Sequence, residues 1–402
     1  MAWKLGQSVP QSDVFLLPGN AGTSNNVPVD VRDFEAVKRA CQDRNIDLLL
    51  VGPETPLADG IVDHFEGTGI RVFGPGKQTA QLESSKVWAK RFMRRHGVAT
   101  ADFEVFDDPK KAEGLIHRLD GDLVVKYDGL AGGKGVFVCH TVEEANRALG
   151  TLQDRYGPSV SFLIEQRQAG SELSILGLTD GRSIKLLSPS RDHKPLLDGD
   201  RGPNTGGMGA FCPVPGCDQE TLDEINKCVI EPTMAGLKEE GIDYCGFIYF
   251  GLMITTDGPK LLEYNVRLGD PETEVLLPAL KTELLELVVS CFDGTLQDQN
   301  LVFQPGYTVD VVMASGGYPG NYTVGHEILG LDHVSEDALV FHAGTRRDGD
   351  RVLTAGGRVL NIVAWGEDLS TAVAATYEQC DRVHFQNATY RKDIGARPWQ
   401  LQ

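Results

Sequence analysis

Residues 124–138 read VVKYDGLAGGKGVFV: an apolar run, a lysine, four glycines around a second lysine, then apolar residues again. The pattern predicts two strands joined by a glycine-rich flap. The glycines need a reason, because each loses more backbone freedom on folding than any other residue. The usual reason is close approach of backbone N–H groups to an anion, most often a phosphate. Two common phosphate loops are excluded by spacing. Asp128 stands where a Walker A loop has its first glycine, and Lys134 is followed by Gly135 rather than Ser or Thr. A G-x-G-x-x-G run counted from Gly133 ends on Val138. The flap is phosphate-directed but belongs to neither class, so the rest of the chain must name it.

The chain has 402 residues, enough for two to four domains, with 41% hydrophobic and 24% charged residues, the balance of a soluble globular protein. A formal charge of −19 argues against a nucleic-acid partner, which demands surplus Lys and Arg. No apolar run reaches membrane-spanning length, and the start MAWKLGQSVPQSD lacks the apolar core of a signal peptide. The eight cysteines form no C-x-x-C pair and read as buried, reduced thiols of a cytoplasmic protein.

From residue 12 to 75, strand-like and helical runs alternate with short connections, which predicts a parallel sheet. Its strands are DVFLL, IDLLLV and IRVF; its helices are DFEAVKRACQDRN and ADGIVDHFEGTG. Ligands collect at the carboxyl ends of such strands, here PGNAG (18–22), GPETPL (52–57) and FGPG (73–76). MAWKLGQS reads as the tail of a helix with no strand to feed it, so the sheet is expected to lack its first strand and the loop after it. Residues 81–97 predict one basic helix with Lys86 and Lys90 on one face. Residues 100–168 predict a small α+β module with the glycine flap inside it. A second α+β block runs to about 300, and 301–402 reads as a separate β-rich domain.

Two further stretches carry chemistry. In the strand KLLEYNV (260–266), alternation puts Glu263, Asn265 and then Arg267 on one face, with Leu262, Tyr264 and Val266 on the other. A carboxylate beside an amide oxygen suits Mg²⁺, and an arginine suits a phosphoryl or carboxylate group. Asp270 and Glu272 follow in a tight turn. In DHKPLLDGDRGPNTGGMGAF (192–211), glycines and a proline crowd around Asn204 and Thr205, as in a binding loop whose N–H groups line a site. His193 reads as a hydrogen-bonding group more readily than as a general base. Together these features describe phosphoryl transfer from ATP, in which catalysis is positioning plus charge neutralisation.

These residues resemble the ATP-grasp superfamily, and within it the phosphoribosylamine–glycine ligase family. The resemblance spans nearly the whole chain; GPNTGGMGA and NVRLGDPET are its most specific strings, with PGNAGT, KYDGLAGGKGV, ASGGYPG, GGRVL and RKDIG beside them. It implies an α/β and α+β, ATP-grasp fold: a Rossmann-like parallel-sheet domain at 1–75, an ATP-grasp domain at 76–300 with 100–168 as mobile lid, and a small β-rich domain at 301–402. It also implies an ATP-dependent carbon–nitrogen ligase that uses Mg²⁺ or Mn²⁺. The substrates would be ATP, glycine and 5-phosphoribosylamine, and the protein a cytoplasmic monomer or weak dimer. Lys86, Lys126 and the flap residues Gly129, Gly132, Gly133, Lys134 and Gly135 would contact ATP phosphates, with Glu165 and Glu172 near the adenosine. Glu263 and Asn265 would hold the metal. Arg267, Asp270, Asp192, His193, Asn204, Thr205, Gly206 and Gly207 would surround glycine and the acyl phosphate; Gly19, Asn20 and Glu54 would face the ribosylamine. Lys126, Arg267 and Asp270 are the expected catalytic residues. Family members open with a strand and a glycine-rich loop where this chain has Met1, so the expectation is a misassigned start first, and otherwise a truncated chain or impaired ribosylamine binding. The alternatives are an ATP-grasp ligase with another acceptor and a non-catalytic ATP- or phosphosugar-binding protein.

Overall fold

A computed structural model describes residues 1–396. The glycine flap is the turn of a hairpin. Strands Asp122–Tyr127 and Val136–His140 pair antiparallel, from Asp122 opposite His140 to Lys126 opposite Val136. They lie in a four-stranded antiparallel sheet with Phe162–Gln166 and Phe103–Phe106. Helices Pro109–Arg118 and Val142–Tyr156 cover it, capped by the side chains of Asp108 and Thr141 as the N-terminal orphan N–H groups require. Their apolar stripes meet the inward strand residues Leu123, Val125, Phe162 and Ile164 in a core of their own.

A second antiparallel sheet has the order Gly258–Asn265, Gly246–Thr255, Ser171–Thr179, Ile184–Leu186. Gly246–Thr255 is almost wholly buried, which fits its run of apolar residues. A bulge interrupts the pairing: Gly251 faces Glu263, but Leu252 faces Leu261. The extra residue is Leu262, and it resets the alternation of side chains.

The N-terminal segment holds a two-stranded parallel sheet, Leu48–Leu50 with Arg71–Phe73. DVFLL is not a strand: Leu16 makes only an isolated bridge to Asn26, because Gly19 and Asn20 turn the chain at once. The expected helix at 58–69 is two short ones, Glu54–Asp59 and Ile61–His64, separated by left-handed Gly60. The expected basic helix at 81–97 likewise splits into Gln81–Ser84 and Lys86–Arg95. Ser85 is extended and caps the second helix by accepting from the Trp88 N–H.

The 192–211 segment is more ordered than a loop. Arg191–Asp192 and Gly209–Cys212 are strands, and between them Pro195–Leu197 pairs with Arg201–Asn204. Gly209–Cys212 pairs with Tyr307–Ser315, and the six-stranded sheet continues through Arg358–Gly366 to Leu339–His342, with Ala388–Thr389 alongside. Strands before residue 213 and after 306 thus share one sheet. Buried Arg391 pairs with Asp200 and Asp393 and donates to the Pro195 carbonyl, tying the RKDIG stretch to this hairpin.

Candidate active site

The flap, the strand Gly258–Asn265, the turn after it and the 204–206 loop open onto one basin of about 1020 Å³. Its charged floor begins with Glu165, buried between two lysines. Lys126 Nζ lies 2.8 Å and Lys90 Nζ 3.1 Å from its carboxylate. Lys126 also donates to the Leu262 carbonyl at 3.0 Å. Burial alone would raise the Glu165 pKa, but Lys126 and Lys90 outweigh it and hold the carboxylate below its ordinary range. Burial lowers Lys90 to about 8.

Lys86 begins its helix at the basin, 3.8 Å from Glu263 Oε2. Asp128, at the base of the flap, accepts from the Ser85 hydroxyl (2.9 Å) and the Val87 N–H (3.1 Å). The flap is therefore fastened to the helix that carries Lys86. Burial raises the Glu263 pKa, yet Lys86, Lys126, Lys194 and Arg267 together bring it below the ordinary value, so the carboxylate is ionised. The hydrogen-bond pattern around Asn265 points its amide nitrogen at Glu83 Oε1 (2.9 Å) and the Tyr264 carbonyl (3.3 Å). Among the described residues no three His, Cys, Asp or Glu side chains cluster as a closed metal cage. An open pair of oxygen donors is what Mg²⁺ shared with phosphate oxygens requires.

Arg267 lies 2.9 Å from Glu83 and 3.5 Å from Glu54. Glu83 also accepts from the Val266 N–H at 2.8 Å; burial raises its pKa to about 7, against the pull of Arg267. On the other side Lys194 bridges Glu172 (3.2 Å) and Asp192 (3.5 Å). Burial lifts the Asp192 pKa to about 8, Lys194 opposing. Glu272 is buried and accepts from Ser174, whose hydroxyl lies 2.9 Å from that of Tyr249. Gly207 has φ +113°, and a Cβ there would lie 2.3 Å from Pro271 Cδ. Only glycine lets the two loops touch.

Most residues singled out from sequence line this basin: Lys86, Lys126, Gly132, Gly133, Gly135, Glu165, Glu172, Glu54, Asp192, Asn204, Thr205, Gly206, Glu263, Asn265, Arg267 and Asp270. Six do not. Strand alternation turns His193 away from it, against Phe211, where burial and then Arg391 and Arg191 lower its pKa to about 3. It is neutral and no base for this site. Gly19 and Asn20 turn instead toward the C-terminal sheet, Asn20 Nδ2 donating to the His342 carbonyl at 2.5 Å. Gly129 packs on the Tyr127 ring, Lys134 is exposed with its carbonyl held by Arg155 at 2.7 Å, and Gly207 lies behind Gly206. Leu262, expected on the far face, lines the basin because of the bulge.

Three family models tile the chain: the N domain of phosphoribosylglycinamide synthetase at residues 1–83, its ATP-grasp (A) domain at 84–273 and its C domain at 308–397. The chain belongs to the phosphoribosylamine–glycine ligase family. It is 43% identical to phosphoribosylamine–glycine ligase of Rhodopirellula baltica, over 98% of this chain and 94% of that one. It is 46% identical to the trifunctional purine biosynthetic protein adenosine-3 of Gallus gallus over 99% of its own length, and spans 41% of that protein. The crystal structure of phosphoribosylamine–glycine ligase from Thermotoga maritima superposes with a TM-score of 0.83 at 35% identity, covering 98% of this chain and 96% of that one. As a member of this family the chain is an ATP-dependent carbon–nitrogen ligase of ATP-grasp fold. None of the described helices is long and apolar enough to cross a membrane.

Sequence reading passed over several basin residues of this ligase. Glu83 lay in what looked like one surface helix. Tyr318, in the turn after Tyr307–Ser315, and Arg358, in the C-terminal sheet, reach the basin to bind Gly206 from 112 and 152 residues away. GGYPG and GGRVL were visible as strings, but nothing local ties them to the ATP-grasp half.

Proposed function

We propose that this chain joins glycine to 5-phosphoribosylamine, with cleavage of ATP to ADP and phosphate, in the reducing cytoplasm. The observation that carries the reading is the convergence of the flap glycines, Lys126, the Glu263–Asn265 pair and the Arg267–Asp270 turn on one basin. A glycine carboxylate oxygen attacks the γ-phosphorus; the bond to ADP breaks and glycyl phosphate forms. The amine nitrogen of the ribosylamine then attacks the acyl carbon, the carbon–oxygen bond to phosphate breaks, and the nitrogen gives up one proton.

The residues supply position and charge. Lys126, fixed by Glu165 and the Leu262 carbonyl, presents an ammonium group that needs no rearrangement when charge builds on the transferred phosphoryl group. Lys86 adds a second charge at the base of the flap. Closure of residues 129–135 would exclude water, which otherwise hydrolyses an acyl phosphate. Glu263 and Asn265 would hold Mg²⁺ or Mn²⁺, which when bound neutralises phosphate oxygens. Glu172, beside Glu165 in the basin, would lie toward the nucleotide. Arg267 and Asp270, with Asp192 and the 204–207 loop, would receive glycine, and Glu54 would face the ribosylamine.

The test is ADP release with ATP, Mg²⁺, glycine and phosphoribosylamine generated in situ, omitting each in turn. The reading expects ADP only when all are present. ADP release that ignores glycine or the ribosylamine overturns it.

A further inference from the structure

Two basin segments that are remote in sequence, 204–207 and 268–271, are joined by one side chain from the C-terminal sheet. Arg358 Nη1 donates to the carbonyl oxygens of Gly206 (2.8 Å) and Asp270 (2.7 Å), with the Gly207 carbonyl at 3.4 Å, and lies 3.1 Å from Asp270 Oδ1. The Tyr318 hydroxyl accepts from the Gly206 N–H at 3.0 Å. There is no slack in this junction: a Cβ on Gly206 would lie 3.1 Å from Arg358 Cζ. The two N–H bonds of Nη1 suit the Gly206 and Asp270 carbonyls, and the charge is balanced by the Asp270 carboxylate, which makes the contact strong and oriented. It is also a vulnerable one, because its loss releases both segments together.

We infer that Arg358 is a positioning residue for the glycine side of the reaction, setting the spacing between the 204–207 loop and the 268–271 turn from the C-terminal sheet. Its recorded contacts are with the Gly206, Gly207 and Asp270 segments of the protein. It acts by holding Gly206, Gly207 and Asp270 where glycine and its acyl phosphate are to be bound. The inference rests on the ligase reading above.

Steady-state kinetics of Arg358→Met, Arg358→Lys and Tyr318→Phe test it, together with amide hydrogen exchange of the same proteins. Displacement of reacting groups by about 1 Å costs up to about a hundredfold, so Arg358→Met is expected to lose roughly ten- to a hundredfold in kcat/KM for glycine. Its KM for ATP should stay within about twofold of wild type, the nucleotide groups being held elsewhere. Arg358→Lys, which restores a charged donor, should recover part of the loss, and Tyr318→Phe should fall between. Exchange should rise in 204–207 and 268–271 of Arg358→Met and not in the flap. Parallel losses for ATP and glycine, no rescue by lysine, or unchanged exchange in both segments would overturn the inference. If wild type itself shows no glycine-dependent ADP release, the ligase reading fails, and the exchange comparison still decides the clamp.

Discussion

Glu165→Gln removes one charge from the buried triad while keeping its shape. Lys126 and Lys90 lie 2.8 and 3.1 Å from the carboxylate, and none of the three side chains is more than 7% exposed. Removing one partner of a buried ion pair costs about 3–5 kcal/mol. Lys90 limits that cost. Burial holds it at about 8 even with Glu165 attracting its proton, against an ordinary 10.5. Without that attraction its pKa falls further and it loses its proton near neutrality, so the loss at pH 7 should sit at the low end, about 3 kcal/mol. The sign of the pH dependence follows. A lysine whose folded pKa lies below its unfolded one binds more protons when unfolded between the two values, so stability rises with pH across that window. In wild type the window opens at about 8; in Glu165→Gln it opens lower. The variant should therefore lose up to about 1.4 kcal/mol more than wild type for each pH unit below about 8, down to its own Lys90 pKa, where the extra loss levels off. The gap to wild type should narrow from pH 6 to pH 8. Glu165 titrates below this range, because Lys126 and Lys90 hold its pKa down. Urea unfolding at pH 6, 7 and 8 measures the gap, and Lys90→Met/Glu165→Gln should recover much of the loss at pH 6. A gap that does not change with pH, or a double variant no more stable than the single one, refutes the reasoning.

Three more expectations are simpler to check. Glu263→Ala and Asn265→Ala should each abolish Mg²⁺-dependent ADP formation with melting temperature nearly unchanged; activity surviving in both would show that the metal lies elsewhere. Gly207→Ala should destabilise by about 2 kcal/mol or more, because alanine strains at positive φ and its methyl meets Pro271; denaturant midpoints measure it. Glu274→Gln concerns a carboxyl raised to about 8, first by burial and then by Asp270, with Oε2 unpartnered. A raised carboxyl adds stability that is complete below the unfolded pKa and lost as pH rises through the folded one. Glutamine has no such loss, so the variant should gain on wild type between pH 5 and 8, by up to about 1.4 kcal/mol per pH unit, and then level off. A parallel pair of melting curves would count against it.

Local rules carried much of the reading because they depend on short stretches. Glycines between two apolar runs had to be a turn, and the hairpin Asp122–His140 is that turn. Charged and amide residues alternating with apolar ones placed Glu263, Asn265 and Arg267 together, and all three reach the basin. Where the same rules failed, a contact from elsewhere in the chain had intervened. Alternation missed Leu262 because pairing with Gly246–Thr255 inserts a bulge. The 81–97 pattern hid a break because Asp128, far along the chain, binds the hydroxyl of Ser85 and the N–H of Val87.

By itself the sequence determined the family and the kinds of group at the site, since glycine, lysine, carboxylate and amide each announce their chemistry by type and spacing. Which of them meet was decided only by tertiary structure. His193 and Asp192 are adjacent, yet a strand sends them to opposite sides. Lys86 and Lys90 are one turn apart, yet one faces the basin and the other is sealed behind Glu165. Arg358 stands in the string GGRVL, but nothing near it in sequence says what it touches. Its partners are 88 and 152 residues away, and a hydrogen bond across that distance exists only once two sheets have packed.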